Sequence, residues 1–337
     1  MTNPRALVTG GGGFLGLYIV EQLLGDGFEV RSFSRNSYEC LRTLNVEHVA
    51  GDLRDATAVE RACEGVDVVF HTAAVPGIWG SRQMFFDINT VGTENVIAAC
   101  RKHQVTKFVY TSSPSVVFGG ENHVNANETL PYPKTWLAYY PASKAAAEQQ
   151  VLAASDDSLA TCALRPHLIW GPRDTQLVPR LIRRAKAGRL RIIGDGSNEI
   201  SMAYVENVAA AHLQAAQALA TDSPVAGQAY FINEPEPIGC WEWINTLLAR
   251  ACLPPVQKRI STKAAYRIGA ILEFVYSTLR LSSEPPMTRF LASQLSTSHS
   301  YEIGKAQRDF EYQPIFSVEE GLAKLEPELK KIASCSV

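Results

Sequence analysis

Short apolar, β-branched runs alternate with longer stretches of helical periodicity through the first half of the chain. The runs at Arg5–Thr9, 28–33, 46–50, 66–71 and 107–112 read as strands. Between the first two, residues 14–24 carry Leu15, Ile19 and Leu23 on one face and stop at Gly25 and Gly27. Ala56–Cys63, 85–103 and 136–154 read as further helices. Such alternation predicts an α/β protein whose doubly wound parallel sheet is covered on both faces. The pattern changes after a strand at 163–166. Pro172, Pro179, Gly188, Gly194, Gly196, Pro224, Pro235 and Pro237 punctuate the second half, and short strands such as 229–232 interrupt its helices. The expected division is a sheet domain over 1–172, completed by segments near 191–233, and a smaller C-terminal lobe over 173–337 that covers a site on the sheet. No long Ser/Gly linker, internal repeat or low-complexity segment separates them.

Composition narrows the class. The chain is 46% hydrophobic and 20% charged over 337 residues, which excludes a disordered or collagen-like chain. Its 32 basic and 34 acidic residues leave a net charge of −2, too balanced to attract nucleic acid. Seven cysteines, none in a Cys-x-x-Cys pair, fit the scattered thiols of a cytoplasmic protein better than a disulfide frame or a zinc site. No His-Glu-x-x-His or acidic cluster suggests a metal. A strand pattern begins by Arg5, so no leader is expected, and no run of 18 apolar residues predicts a stable membrane span. The most apolar long stretch, 264–281, contains Arg267, Glu273 and Arg280. It reads as an amphipathic helix presenting Ile268, Leu272, Val275 and Leu279. Three uses suit it, in this order: roofing a substrate pocket, meeting a partner enzyme, or touching a membrane.

Thr9-Gly10-Gly11-Gly12-Gly13-Phe14-Leu15-Gly16 follows the first strand and opens the first helix. Gly10 lets the chain turn, Gly13 leaves room for a pyrophosphate, and Gly16 allows helix and strand to pack closely. The free N–H groups and dipole of the helix N-terminus then face the phosphates. In NAD sites an acid ends the second strand; here Ser34-Arg35 stands there. A guanidinium at Arg35 suits a 2′-phosphate, so the expected cofactor is NADP(H); a solvated loop cation is the plain alternative. Asp52 and Leu53, after the third strand, are placed to meet the adenine, or simply form a turn.

Tyr140-Pro141-Ala142-Ser143-Lys144 sets a phenol and an ammonium on one helix face. A phenol has a pKa near 10 and needs a nearby positive charge to exchange protons at neutral pH. Lys144 supplies it and can also hold the nicotinamide ribose. A hydroxyl to orient a substrate carbonyl stands at the end of the fifth strand: Ser113, with Ser112 as the alternative. Tyr139 is set aside because Ser143, not a lysine, lies four residues on.

These motifs resemble the extended short-chain dehydrogenase/reductase family over nearly the whole chain. The likeness extends to Gly51-Asp52-Leu53, His71-Thr72-Ala73-Ala74, Asn89 to Thr93, 110–119 and 164–174. Within that family the sequence is similar to the 3β-hydroxysteroid dehydrogenase branch. It is nearest there to bacterial enzymes of long-chain olefin biosynthesis that use NADPH to reduce 2-alkyl-3-oxo acids to the hydroxy acids. The resemblance implies a Rossmann fold and a hydride transfer with Tyr140 as proton donor. It implies that Thr72, Ala73 and Ala74 run along the cofactor, that Pro166 and Leu168 pass the nicotinamide, and that Asn89 supports Lys144 through water. It also implies a cytoplasmic homodimer pairing the helices at 85–103 and 136–154, and allows a complex with enzymes of the same pathway.

Nucleotide-sugar epimerases of that family carry an Asn where Leu168 stands and an Arg where Ile200 stands, so a sugar-nucleotide substrate is disfavoured. A 3β-hydroxysteroid dehydrogenase and a non-catalytic NADP sensor are the other rivals. Among the remaining residues, His71 reads as packed core and His167 as a secondary acid. Trp79, Trp136, Tyr139, Trp170 and Met202 either belong to the core or line a lipid-shaped pocket. Arg180, Arg183, Arg184, Lys186, Arg189 and Arg191 read as a solvated helix face, one of which could meet a substrate carboxylate.

Overall fold

Seven strands form one sheet in the computed structural model, which describes residues 3–334. They are β1 (Arg5–Thr9), β2 (Glu29–Ser34), β3 (Glu47–Ala50), β4 (Val68–His71), β5 (Lys107–Thr111), β6 (Ala160–Pro166) and β7 (Gln228–Ile232). Their order is β7-β6-β5-β4-β1-β2-β3, and every neighbouring pair is parallel. Five helices cover this sheet: α1 (Phe14–Gly25), α2 (Ala56–Cys63), α3 (Gly92–Lys102), α4 (Tyr139–Ala153) and α5 (Val205–Ala218). Side-chain alternation along each strand feeds two cores. Ala6, Val8, Val68, Phe70 and Val109 pack with α1 and α5. Leu7, Val69, Phe108, Tyr110 and Ala163 pack with α2, α3 and α4. Burial on both faces explains the near-continuous apolar strands, such as β4, buried at all four positions.

Three elements depart from the sequence pattern. The helix expected over 85–103 starts at Arg82 and passes through a π-helical turn, Phe86–Val91, before α3. The widened turn carries Asn89, whose Oδ1 accepts from Val75 N at 2.7 Å while its Nδ2 donates to Ser143 Oγ at 3.0 Å. The helix expected from 136 begins at Tyr139, because Ala138 is extended and the Trp136 indole turns aside to donate to Val116 O at 2.9 Å. Helix α5 is buried nearly all round, so no amphipathic period marks it.

Beyond the sheet, Ile238–Gly239, Glu199–Ile200, His299–Tyr301 and His123–Ala126 form a four-stranded sheet in that order. The second half of the chain is thus divided. Its α5 and β7 complete the large sheet's layers, while its other strands build a cap together with 123–126 from the first half. No helix among the described residues is long and apolar enough to cross a membrane. Six cysteines are free thiols; Cys335 lies outside the described residues.

Candidate active site

The chain runs outward from β1 in both directions across the sheet, so a crevice opens where β1 and β4 end. Gly10 makes the first turn with φ +73°, and a Cβ there would lie 3.1 Å from Ala73 Cα. A Cβ at Gly16 would lie 2.2 Å from the Gly10 carbonyl oxygen, so only glycine lets α1 start this close to β1. Gly13 caps α1 with no side-chain hydrogen bond, and no acid sits in the first turn. The N–H groups of Phe14, Leu15 and Gly16 are therefore open to an anion.

A cleft of 620 Å³ runs from this cradle across the ends of β2 to β6. Along it lie the expected proton donor, lysine and serines and the expected cofactor contacts, but not His167 or Asn89. Gly10, Gly13, Phe14, Leu15 and Gly16 line one stretch, with Arg35, Asp52 and Leu53 beyond them. Thr72, Ala73, Ala74, Ser112, Ser113, Tyr140, Lys144, Pro166 and Leu168 line the rest. Arg35 is exposed, forms no close ion pair among the described residues, and its charge helps lower the Asp52 carboxyl. Asp52 is held by Arg54 at 2.9 and 2.7 Å, and that pairing draws its carboxyl down to about 2. Leu168 holds a left-handed φ of 46°, a strained backbone for leucine.

The reactive end lies where α4 meets β5. Lys144 Nζ donates to Thr111 O at 2.6 Å and sits 4.0 Å from the centre of the Tyr110 ring. Burial pushes its ammonium down to about 7, opposed by Glu148 one turn further along α4. Burial pushes the Tyr140 phenol up to about 12, opposed by the neighbouring Ser113 hydroxyl. The two serines differ in their surroundings. Ser113 Oγ, near Tyr140, accepts from Ser115 N at 3.2 Å and from Ser115 Oγ at 3.0 Å, whereas Ser112 Oγ is buried without a partner. Glu148 is itself buried, accepting from Arg165 Nε at 3.0 Å, Arg165 Nη2 at 2.6 Å and the Tyr132 hydroxyl at 2.6 Å.

The other candidates sort plainly. His71 pairs with Thr9 and Thr93 hydroxyls at 2.7 and 3.0 Å, and burial pushes it down to about 3. His167 donates from Nδ1 to Ser201 O at 2.6 Å and is pushed by burial to about 4, so it is neutral and no acid at neutral pH. Asn89 braces the 75 loop and Ser143. Trp79, Trp136, Tyr139, Trp170 and Met202 do not line the cleft, nor does any of the six basic residues from Arg180 to Arg191. Arg180 is paired with Glu284 instead. Among the described residues no cluster of His, Cys, Asp or Glu could hold a metal. Pattern reading missed Tyr38 and Gln176, which also line the cleft. The Tyr38 ring covers the glycine loop so closely that a Cβ at Gly12 would fall 2.1 Å from it. No motif marks Tyr38; only its place three residues past Arg35 hints at it.

Fold and cleft together are those of a short-chain dehydrogenase/reductase, an oxidoreductase. The chain belongs to the 3-beta hydroxysteroid dehydrogenase/isomerase family, whose sequence model matches residues 7–261. It is 51% identical to the 2-alkyl-3-oxoalkanoate reductase of Stenotrophomonas maltophilia, covering 95% of this chain and 98% of that one. It is 44% identical to the Shewanella oneidensis protein of the same name, covering 96% and 86%. The human sterol-4-alpha-carboxylate 3-dehydrogenase, decarboxylating, is 34% identical over 95% of this chain and 87% of that protein. In fold, the chain matches the Thermus thermophilus UDP-glucose 4-epimerase with a TM-score of 0.74 at 24% identity, over 97% and 99% of the two chains.

Proposed function

We propose that this protein uses NADPH to reduce a long-chain 2-alkyl-3-oxo acid to the 2-alkyl-3-hydroxy acid. One observation carries the chemistry: the Tyr140 hydroxyl beside Ser113, with Lys144 one helical turn away, inside the cleft. The bound reduced nicotinamide supplies a hydride to the ketone carbon. Tyr140, protonated at neutral pH, gives its proton to the oxygen that gains charge. Ser113 donates a hydrogen bond to that same oxygen. Lys144, as the ammonium, favours the phenolate left behind and holds the ribose hydroxyls. Phe14, Leu15 and Gly16 bind the pyrophosphate through backbone N–H groups, and Arg35 binds the 2′-phosphate. Asp52 and Leu53 face the adenine, Thr72 to Ala74 run along the dinucleotide, and Pro166 and Leu168 pass the nicotinamide.

The substrate class rests on the two bacterial reductases. The apolar Leu168 at the cleft and the buried Ile200 offer nothing to a sugar nucleotide. We further propose a cytoplasmic homodimer built on α3 and α4. The test of the activity is NADPH oxidation by purified protein with a racemic long-chain 2-alkyl-3-oxo acid, repeated with NADH. Fast turnover with NADPH and slow turnover with NADH is the expected result. No turnover of the acid, together with NAD(P)+ reduction on a 3β-hydroxysteroid, would replace the substrate and keep the chemistry.

A further inference from the structure

Helix α6 (Thr262–Thr278) is built inside out for a surface helix. Its inner edge is small: only Ala265 and Gly269 are buried, and a Cβ on Gly269 would come 2.6 Å from the Thr288 backbone. Its large apolar side chains point away from the protein. Phe274 is 72% exposed, Ile271 62% and Leu279, just past the end, 63%. Ile268 and Val275 complete a stripe at helical spacing, and Leu281 extends it. None of these residues lines the cleft, so the face does not roof it.

The charges beside the stripe are of one effective sign. Lys263, Arg267 and Arg280 are exposed and have no carboxylate partner among the described residues. The two acids of the segment are neutralised, Glu273 by Arg289 at 2.6 Å and Glu284 by Arg180. A convex apolar ridge with a basic border asks for an apolar medium bearing negative charge, and needs no matching groove. The chain's net charge of −2 conceals this local excess. The end of the ridge is also tied to the cleft wall. Trp79 donates to Leu281 O at 3.2 Å and meets Tyr276 edge-on, three residues beyond Pro76, which lines the cleft.

We propose that the outer face of α6 rests on the surface of an anionic lipid bilayer, with Ile268, Ile271, Phe274, Val275 and Leu279 among the acyl chains and Lys263, Arg267 and Arg280 at the headgroups. The contact is peripheral and does not depend on the substrate proposed above. The test is co-sedimentation of the full chain with vesicles of phosphatidylglycerol and phosphatidylcholine, and with phosphatidylcholine alone, without substrate or cofactor. Binding to the anionic vesicles should exceed binding to the neutral ones by more than about tenfold and weaken with salt. Ile271→Glu with Phe274→Glu should abolish it, and Lys263→Gln with Arg267→Gln and Arg280→Gln should lower it by about tenfold or more. All these positions are exposed, so circular dichroism and melting should match the parent. Failure to sediment with either vesicle, or unchanged binding by both variants, overturns the proposal. So does sedimentation velocity showing self-association that the Ile271/Phe274 variant removes while no lipid is bound, since a second copy would then own the face.

Discussion

Tyr140 and Lys144 are shifted in opposite directions by the same cause, burial, and this makes them a pair. With the phenol near 12, Tyr140 carries its proton throughout the neutral range, as a proton donor must. Tyr140→Phe should lower the reduction rate by about 10²–10⁴-fold, measured at saturating substrate, while NADPH affinity by fluorescence titration changes little. Lys144 near 7 is only partly charged at neutral pH, so the rate should fall as pH rises through about 7. The same shift has a cost in stability. An unfolded lysine keeps its proton to about 10.4, whereas the folded one releases it near 7. Between those values the unfolded state holds more protons, so stability rises with pH across the window. Below it, both states are charged and the folded state bears the full burial penalty. Lys144→Met should therefore abolish activity yet raise stability in urea unfolding at pH 7, by about 1–3 kcal/mol after losing the bond to Thr111. That advantage should shrink towards pH 10. At the cofactor end, Arg35→Ser should reduce the NADPH-over-NADH preference in kcat/KM by about tenfold or more.

Helix α4 carries Tyr140, Lys144 and Glu148 at successive turns of one face, so it couples the reactive end to the buried pair of Glu148 with Arg165 on β6. Removing one partner of a buried ion pair leaves the other charge uncompensated. Glu148→Gln should cost about 3–5 kcal/mol in urea unfolding. It should also move the falling limb of the pH–rate profile to lower pH, because Glu148 supports the Lys144 ammonium. A variant with lowered stability but an unmoved profile would confine Glu148 to a structural role. The elements that carry these residues differed in how far the sequence revealed them. Strands β1 to β5 and α1 were readable because turns and glycines bound each apolar run. The glycine loop and the Tyr140–Lys144 pair were readable because their geometry is local: a short loop and a four-residue spacing. The π turn at Phe86–Val91 was not, since it serves bonds from Asn89 to Val75 and Ser143, far along the chain. Nor could spacing choose between Ser112 and Ser113, because the choice depends on how β5 meets α4. Tyr38 was invisible for the same reason: its contact is with the glycine loop, not with its neighbours in sequence.

At the scale of the whole molecule, the doubly covered sheet and its cap bury His71, His167, His212 and His299 out of reach of water. Burial pushes His71 to about 3, His167 and His212 to about 4, and His299 well below its ordinary value. Each stays neutral in the folded chain while its unfolded counterpart takes up a proton below about 6.5. The unfolded state then binds more protons, so stability falls as pH drops from 6.5. Between pH 7 and 5 this amounts to about 2 kcal/mol for each histidine. The sum is of the order of a typical domain's whole net stability of about 5–15 kcal/mol. Burial raises the pKa values of Asp174 and Glu234, which therefore act in the opposite sense. Four histidines outnumber these two carboxyls, so the histidines dominate the window from pH 6.5 to 5. Urea midpoints should fall steeply across it and be flat from pH 7 to 8 apart from the rise due to Lys144. His212 is the cleanest probe, because its ring bonds Thr111 and Val208 O at 2.7 Å each and lies away from the cleft lining. His212→Gln should lower stability at pH 7 yet flatten the slope between pH 6.5 and 5 by about one proton. A slope unchanged by that substitution, or a midpoint constant from pH 7 to 5, would mean that these rings are charged inside the fold.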